Sequence, residues 1–155
     1  MGSGSFLPKR ILVPTDFSSY AHNAFLRALE IASTYHAAVI LLHVIDEQVS
    51  QCVVDFCLSE TVVQQIRKQQ ATATADKLQR ELNSIVDNRR GGIDITSDVR
   101  NGITYDEILK VQQEKEIDLI VMASHGKTGI VKNLIGSVTE KVVRGAKCPV
   151  IVIRN

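Results

Sequence analysis

Residues 118–153 read DLIVMASHGKTGIVKNLIGSVTEKVVRGAKCPVIVI, and this stretch decides the fold. It holds two runs that are apolar almost throughout, residues 118–123 (DLIVMA) and 149–153 (PVIVI), each too short for a stable helix and each of the kind buried on both faces of a parallel sheet. Between them lie a glycine-containing loop over residues 124–135 and a helical pattern over residues 137–144. A strand, a helix and a second strand in that order make a right-handed crossover unit, so the two runs are read as parallel strands of one sheet.

The same alternation extends toward the N-terminus. Residues 10–14 (RILVP) form a short apolar run stopped by proline, and Thr15-Asp16-Phe17-Ser18-Ser19 follows with helix N-cap residue types. Over residues 19–35 Ala21, Ala24, Phe25, Ala28, Leu29 and Ala32 recur at spacings of three and four, which draws one apolar stripe along a helix. Residues 38–44 (AVILLHV) read as a strand covered on both faces, and residues 60–86 as a long helix rich in Gln, Ala, Lys, Glu and Leu, ended by DNRRGG. Ile93, Ile95 and Val99 alternate with Asp94, Thr96 and Asp98, the pattern of an edge strand. After Gly102, Thr104 and Glu107 have the spacing of a capping box that opens a helix ending near Lys115. Five strands alternating with four helices predict an α/β domain, a mostly parallel sheet with helices on both faces.

Composition narrows the function. The chain has 155 residues, enough for one domain with its own core. Lys and Arg number 18 against 17 Asp and Glu, so no net field recommends nucleic acid or an anionic membrane as the partner. No apolar run approaches the roughly 20 residues that span a bilayer. Met1–Ser5 has neither the basic nor the apolar region of a signal peptide, and residues 1–9 are expected to be a disordered or cloning-derived lead-in to a single domain over residues 10–155. The three cysteines, Cys52, Cys57 and Cys148, form no even framework and no zinc spacing, which fits a reducing, cytoplasmic setting. Cys52 and Cys57 are read as half-buried thiols or as a redox pair.

In an open parallel sheet, ligands sit beyond the carboxyl ends of strands where the strand order reverses. That rule singles out the loops after the first, second and fourth strands. After the fourth, Gly126 and then Gly136-Ser137 at a helix start suit an anion cradle, because a helix N-terminus offers unpaired N–H groups and a positive dipole end. Ser137 is equally an ordinary N-cap type. Asp16 has two readings, a carboxylate for ribose hydroxyls or a loop-closing Asp. His125 reads as a phosphate or sugar contact or as an element of loop order, and Lys127 as a phosphate ligand or a solvated side chain.

ILVPTDFS (11–18), LLHVID (41–46) and MASHGKTGIVKNLIGSVTEKVVRGAKCPVIVI (122–153) make the chain resemble the universal stress protein family over nearly its whole length. The nucleotide-binding branch of that family carries Gly, two residues, Gly, nine residues, Gly and Ser or Thr. Ala123, Gly126, Gly136 and Ser137 occupy that frame here, with alanine in the first place. The resemblance implies an open doubly wound sheet of order 3-2-1-4-5, Rossmann-like and akin to the adenine nucleotide alpha hydrolases. It implies ATP, or AMP or ADP, as ligand. Pro14, Thr15 and Asp16 would line one side with Asp16 on the ribose, and the Val44 main chain would meet the adenine edge. Met122, Ala123, His125 and Gly126 would run along the sugar and first phosphates, and Gly136, Ser137 and Val138 would receive the outer phosphates. Mg²⁺ would ride on the phosphates without a protein ligand.

No Gly-x4-Gly-Lys-Ser/Thr loop is present, so the expected activity is a regulatory or stress-response switch and at most very slow ATP hydrolysis, with no catalytic residue assigned. The terminal strand, residues 149–153, is short and apolar and is expected to pair with its twin in a homodimer. The alternative is a nucleotide-independent dimeric interaction module of the same fold.

Overall fold

A computed structural model describes residues 6–46, 59–86, 92–126 and 134–154. Cys52, Cys57 and Lys127 lie outside them. In chain order the elements are β1 (Arg10–Pro14), α1 (Ser19–Tyr35), β2 (Ala38–Asp46), α2 (Glu60–Val86), β3 (Ile95–Gly102), α3 (Thr104–Glu114), β4 (Leu119–Ala123), α4 (Ser137–Gly145) and β5 (Val150–Ile153). The five strands form one sheet in the order β3-β2-β1-β4-β5, and every neighbouring pair is parallel.

Period-two alternation divides the strand residues between two cores. Ile11, Val13, Val39, Leu41, Leu119 and Val121 face α1 and α2, where they bury Phe25, Leu29, Leu78 and Leu82. Leu12, Ile40, Leu42, Val44, Ile120 and Met122 face α3 and α4 and bury Ile108, Val111 and Val142. Near-continuous apolar runs are what such double burial demands.

The stripe over residues 19–35 lies against the sheet as its spacing predicts, with all six of its apolar residues buried. Ser18 caps the helix, its Oγ accepting the Ala21 N–H at 3.1 Å, and His36 closes it in the left-handed region at φ 56°. β3 is an edge strand, and its polar positions are used. Arg100 donates to Asp98 at 3.2 Å and to Glu114 of α3 at 2.9 Å, while Lys115 reaches Asp98 at 3.1 Å.

The capping box at Thr104 does not form. Ile103 is the N-cap and makes no side-chain cap bond, so Thr104 is the first helical residue. Glu107 turns instead to Lys110, and its stem packs over Gly102, where a Cβ would stand 2.9 Å from Glu107 Cγ. Gly102 itself has φ +149°, which ends the edge strand rather than beginning a loop.

At the N-terminal side the Asp118 carboxylate accepts the Lys9 and Arg10 N–H groups at 2.9–3.1 Å, which aligns β1 beside β4. β2 lies on one side of β1 and β4 on the other, so the order reverses at β1 and a crevice opens beyond its carboxyl end.

Phe25 has no exposed surface and sits in the core between α1 and the sheet. Phe25→Ala is expected to lower the unfolding free energy by about 3–5 kcal/mol, through lost transfer energy and the cavity left behind. Urea denaturation checks it, and a loss below about 1 kcal/mol would show that α1 is not packed as described.

Candidate functional site

The crevice at the reversal point is a cavity of about 370 Å³, within the range of small-molecule sites. All of Pro14, Thr15, Asp16, Val44, Met122, Ala123, His125, Gly126, Gly136, Ser137 and Val138 border it. They come from four segments distant in the chain. The sheet alone brings them together.

The β1 exit forms the first wall. Thr15 is buried, its N–H donating to the Leu42 carbonyl at 2.8 Å and its Oγ1 accepting the Phe17 N–H at 3.0 Å. Asp16 accepts the Ser18 N–H on Oδ1 at 2.9 Å, the local closure that is one of its two sequence readings. Its Oδ2 faces Gly126, where a Cβ would lie only 2.6 Å from that oxygen. Gly126 is therefore small because a carboxylate passes against it. The loop-closing reading of Asp16 is thus met by Oδ1, while Oδ2 lies beside Gly126 at the cavity.

β2 supplies a main-chain edge. β1 pairs with β2 only as far as Pro14 opposite Leu42, whereas β2 continues to Asp46 against β3. Leu42 turns its carbonyl toward β1, and by alternation Val44 turns its N–H and carbonyl to the same side, where β1 has already ended. The Val44 side chain is buried among the residues facing α3. An edge of one donor and one acceptor thus borders the cavity.

The third wall is the β4 exit and the start of α4. The Gly136 N–H donates to the Ser124 carbonyl at 2.8 Å, and the buried Thr139 hydroxyl donates to the Ala123 carbonyl at 3.0 Å. These two bonds hold the first turn of α4 over the end of the sheet. Gly136 is the N-cap, at φ −62° and ψ 149°, and brings no side chain to the amides that follow it. Its φ is ordinary, so space decides its identity: a Cβ would stand 3.3 Å from the Ser124 carbonyl oxygen. Amides at the start of a helix have no intrahelical acceptor, and here they stand at the cavity rim with the positive end of the dipole.

Ala123, in place of the first glycine of the resemblance, is not among the residues with positive φ. Leu119 and Val121 face α1 while Ile120 and Met122 face α3, so alternation sends the Ala123 methyl to the α1 side. Ala123 is buried and borders the cavity.

His125 bonds through Nδ1 to Ser124 Oγ at 2.8 Å, and its buried Nε2 has no hydrogen-bond partner among the described residues. A buried polar atom in that condition on a cavity wall is a place for a ligand group. Asp46 also borders the cavity. The site is therefore two-signed, carboxylates toward β1 and β2 and helix amides toward β4.

Sequence reasoning missed His43, Asp46, Thr104, Ile108 and Thr139, all of which border the cavity. Two of them left a signal. His43 is the one polar residue in residues 38–44, and Thr139 stands three positions after Gly136, one helical turn further on the same face.

A model of the universal stress protein family matches residues 8–154. Universal stress protein MJ0577 of Methanocaldococcus jannaschii is 31% identical over 97% of this chain and 98% of its own. The solved structure of MJ0577 superposes with a TM-score of 0.81 over the same shares. UspA of Lactobacillus plantarum superposes with a TM-score of 0.76 at 30% identity, over 97% of this chain and 100% of its own. A universal stress protein family member from Arabidopsis thaliana, solved with AMP bound, shares the fold at 21% identity and a TM-score of 0.59, over 96% of this chain and 93% of its own.

Thr139→Val keeps the shape of the buried side chain but removes its bond to the Ala123 carbonyl. It is expected to cost about 1–3 kcal/mol in chemical denaturation, with Thr139→Ser recovering most of the loss. A loss for Ser with none for Val would show that the methyl, not the hydroxyl, secures α4.

Proposed function

The chain belongs to the universal stress protein family, and from that premise we propose that its crevice binds an adenine nucleotide, ATP first, and that occupancy makes the protein a regulatory switch in a stress response. The observation that carries this reading is the start of α4. Its amides follow a glycine N-cap, are held over the β4 exit by two bonds to main-chain carbonyls, and open into a cavity whose opposite wall carries Asp16.

Nucleotide chemistry fits that polarity. A base offers donors and acceptors on one edge, which suits the Val44 main chain beyond the end of β1. Ribose hydroxyls donate, which suits Asp16. Phosphates are anionic and accept, which suits the N–H groups of Ser137 and Val138, the Ser137 hydroxyl and the helix dipole. Met122, Ala123, His125 and Gly126 then border the sugar and the first phosphate, and His125 Nε2 has a phosphate or sugar oxygen within its side of the cavity. The family member with AMP bound supports an adenine nucleotide as the ligand class.

Mg²⁺, where it accompanies the nucleotide, would ride on the phosphates, because it keeps several of its waters. The proposed role is that of a switch with at most very slow ATP hydrolysis. Ala123 has an ordinary φ, so alanine in the first place of the glycine frame does not by itself favour the nucleotide-independent alternative.

Gly136→Val is expected to weaken ATP binding at least about 100-fold by calorimetry, because a branched side chain covers the helix amides and crowds the Ser124 carbonyl. Ala123→Gly should change the affinity by less than about twofold. Affinity should also fall from ATP to ADP to AMP as outer phosphates are removed. Unaltered binding in Gly136→Val would sink the proposal.

The assembly half of the proposal is a homodimer through residues 149–153. β5 is an outer strand of the sheet, Ile151 on it is 37% exposed, and Val143 on α4 is 48% exposed. An apolar edge of this kind is stabilised by a second copy aligned antiparallel to it. Ile151→Lys is expected to convert the dimer to monomer in sedimentation velocity, and a wild-type chain that sediments as a monomer would refute the pairing.

A further inference from the structure

Phe17 stands between Asp16 and the α1 cap Ser18, with its backbone at φ +63°. Glycine and asparagine enter that region readily, whereas a bulky side chain there is an outlier that persists only where its surroundings over-determine it. They do so from three sides. The Phe17 N–H donates to Thr15 Oγ1 at 3.0 Å. One face of the ring lies 4.6 Å from the His43 imidazole, tilted by 34°. The Lys77 ammonium, arriving from α2, lies 4.1 Å from the ring centroid.

His43 serves twice. Besides stacking on Phe17, its Nδ1 lies 2.7 Å from the Thr15 carbonyl oxygen. A carbonyl only accepts, so Nδ1 carries the proton in this bond. The residues on either side of Asp16 are thus both fastened to one imidazole. Asp16 between them keeps Oδ1 on the Ser18 N–H and Oδ2 toward Gly126 and the cavity.

We infer that Phe17 is a positioning residue for the ligand: stacked between His43 and Lys77, it holds the left-handed turn that aims the Asp16 carboxylate at the ribose 2′ and 3′ hydroxyls. This rests on the nucleotide reading of the crevice. It adds that the ribose subsite is set by a side chain that does not itself touch the ligand, and that α2 backs that subsite through Lys77. A mere packing role for the stack would give a loss of stability without a change in which nucleotides bind.

The test compares ATP with 2′,3′-dideoxy-ATP, which lacks both hydroxyls, by calorimetry on the full chain, with thermal unfolding recorded for each variant. Phe17→Gly accepts the same φ without strain but loses the ring, and Phe17→Asn, which also enters that region readily, replaces the ring with a short polar side chain. Each is expected to weaken ATP by about 10- to 100-fold, the worth of hydrogen bonds to a charged carboxylate, and to leave dideoxy-ATP within about twofold. Adding Asp16→Ala to either should cost nothing more, since all three act on one contact.

Two failures are separable. A wild-type chain that binds neither nucleotide, or binds both equally, removes the ribose assignment and this inference with it. A wild-type chain that prefers ATP, with Phe17→Gly or Phe17→Asn preferring it to the same degree, overturns the role of Phe17 and leaves the nucleotide reading standing. If Phe17→Gly does not fold, Phe17→Asn decides.

Discussion

The first turn of α4 is held over the end of β4 by two hydrogen bonds to consecutive main-chain carbonyls, Gly136 N–H to Ser124 and Thr139 Oγ1 to Ala123. Everything at the site depends on that attachment. A parallel sheet ends in carbonyls and loops, and a helix begins in amides without acceptors, so joining the two ends creates a polar rim beside an apolar interior. A side chain at the N-cap would ordinarily occupy such amides. Glycine at 136 declines that role, and the cavity wall keeps its donors.

The opposite wall follows from a second constraint, the unequal lengths of β1 and β2. β1 stops at Pro14, and β2 runs four residues further before it ends at Asp46. The overhang exposes a main-chain edge at Val44 to the crevice and places Asp16, at the first turn after β1, beside it. Charges of one sign therefore gather toward β1 and β2 and the helix dipole toward β4. A ligand that donates from its middle and accepts at one end is matched by that arrangement, and an apolar ligand is not.

Much of this was legible in the sequence because strong local signals coincide with the elements. The apolar runs at residues 10–14, 38–44 and 118–123 are each covered on both faces, and no other short element tolerates such uniform composition. The stripe of α1 and the glycine spacing after β4 were readable for the same reason: period and small size are local properties. What escaped was whatever depends on two segments meeting. Thr104 looked like a cap, but Ile103 takes that place once Glu107 turns to Lys110 and lies over Gly102. His43 stood out in its strand, yet its partner, the Thr15 carbonyl, lies 28 residues away in sequence. The positive φ of Phe17 has no sequence signal at all, since phenylalanine is among the residues least expected there.

Ala123 shows how a motif departure is weighed by geometry rather than by counting matches. A glycine is required where φ is positive or where a Cβ would meet a neighbour, and neither condition holds at the end of β4. Gly126 and Gly136 differ from it in kind. A Cβ at 126 would press on the Asp16 carboxylate at 2.6 Å, and one at 136 would stand 3.3 Å from the Ser124 carbonyl that anchors the helix. Three positions with the same letter in a pattern thus answer to three different surroundings, and only the two that border a polar group of the cavity constrain the chemistry. Strand alternation sends the alanine methyl toward the α1 side, and the residue is buried, so the added methyl contributes burial without requiring a special backbone.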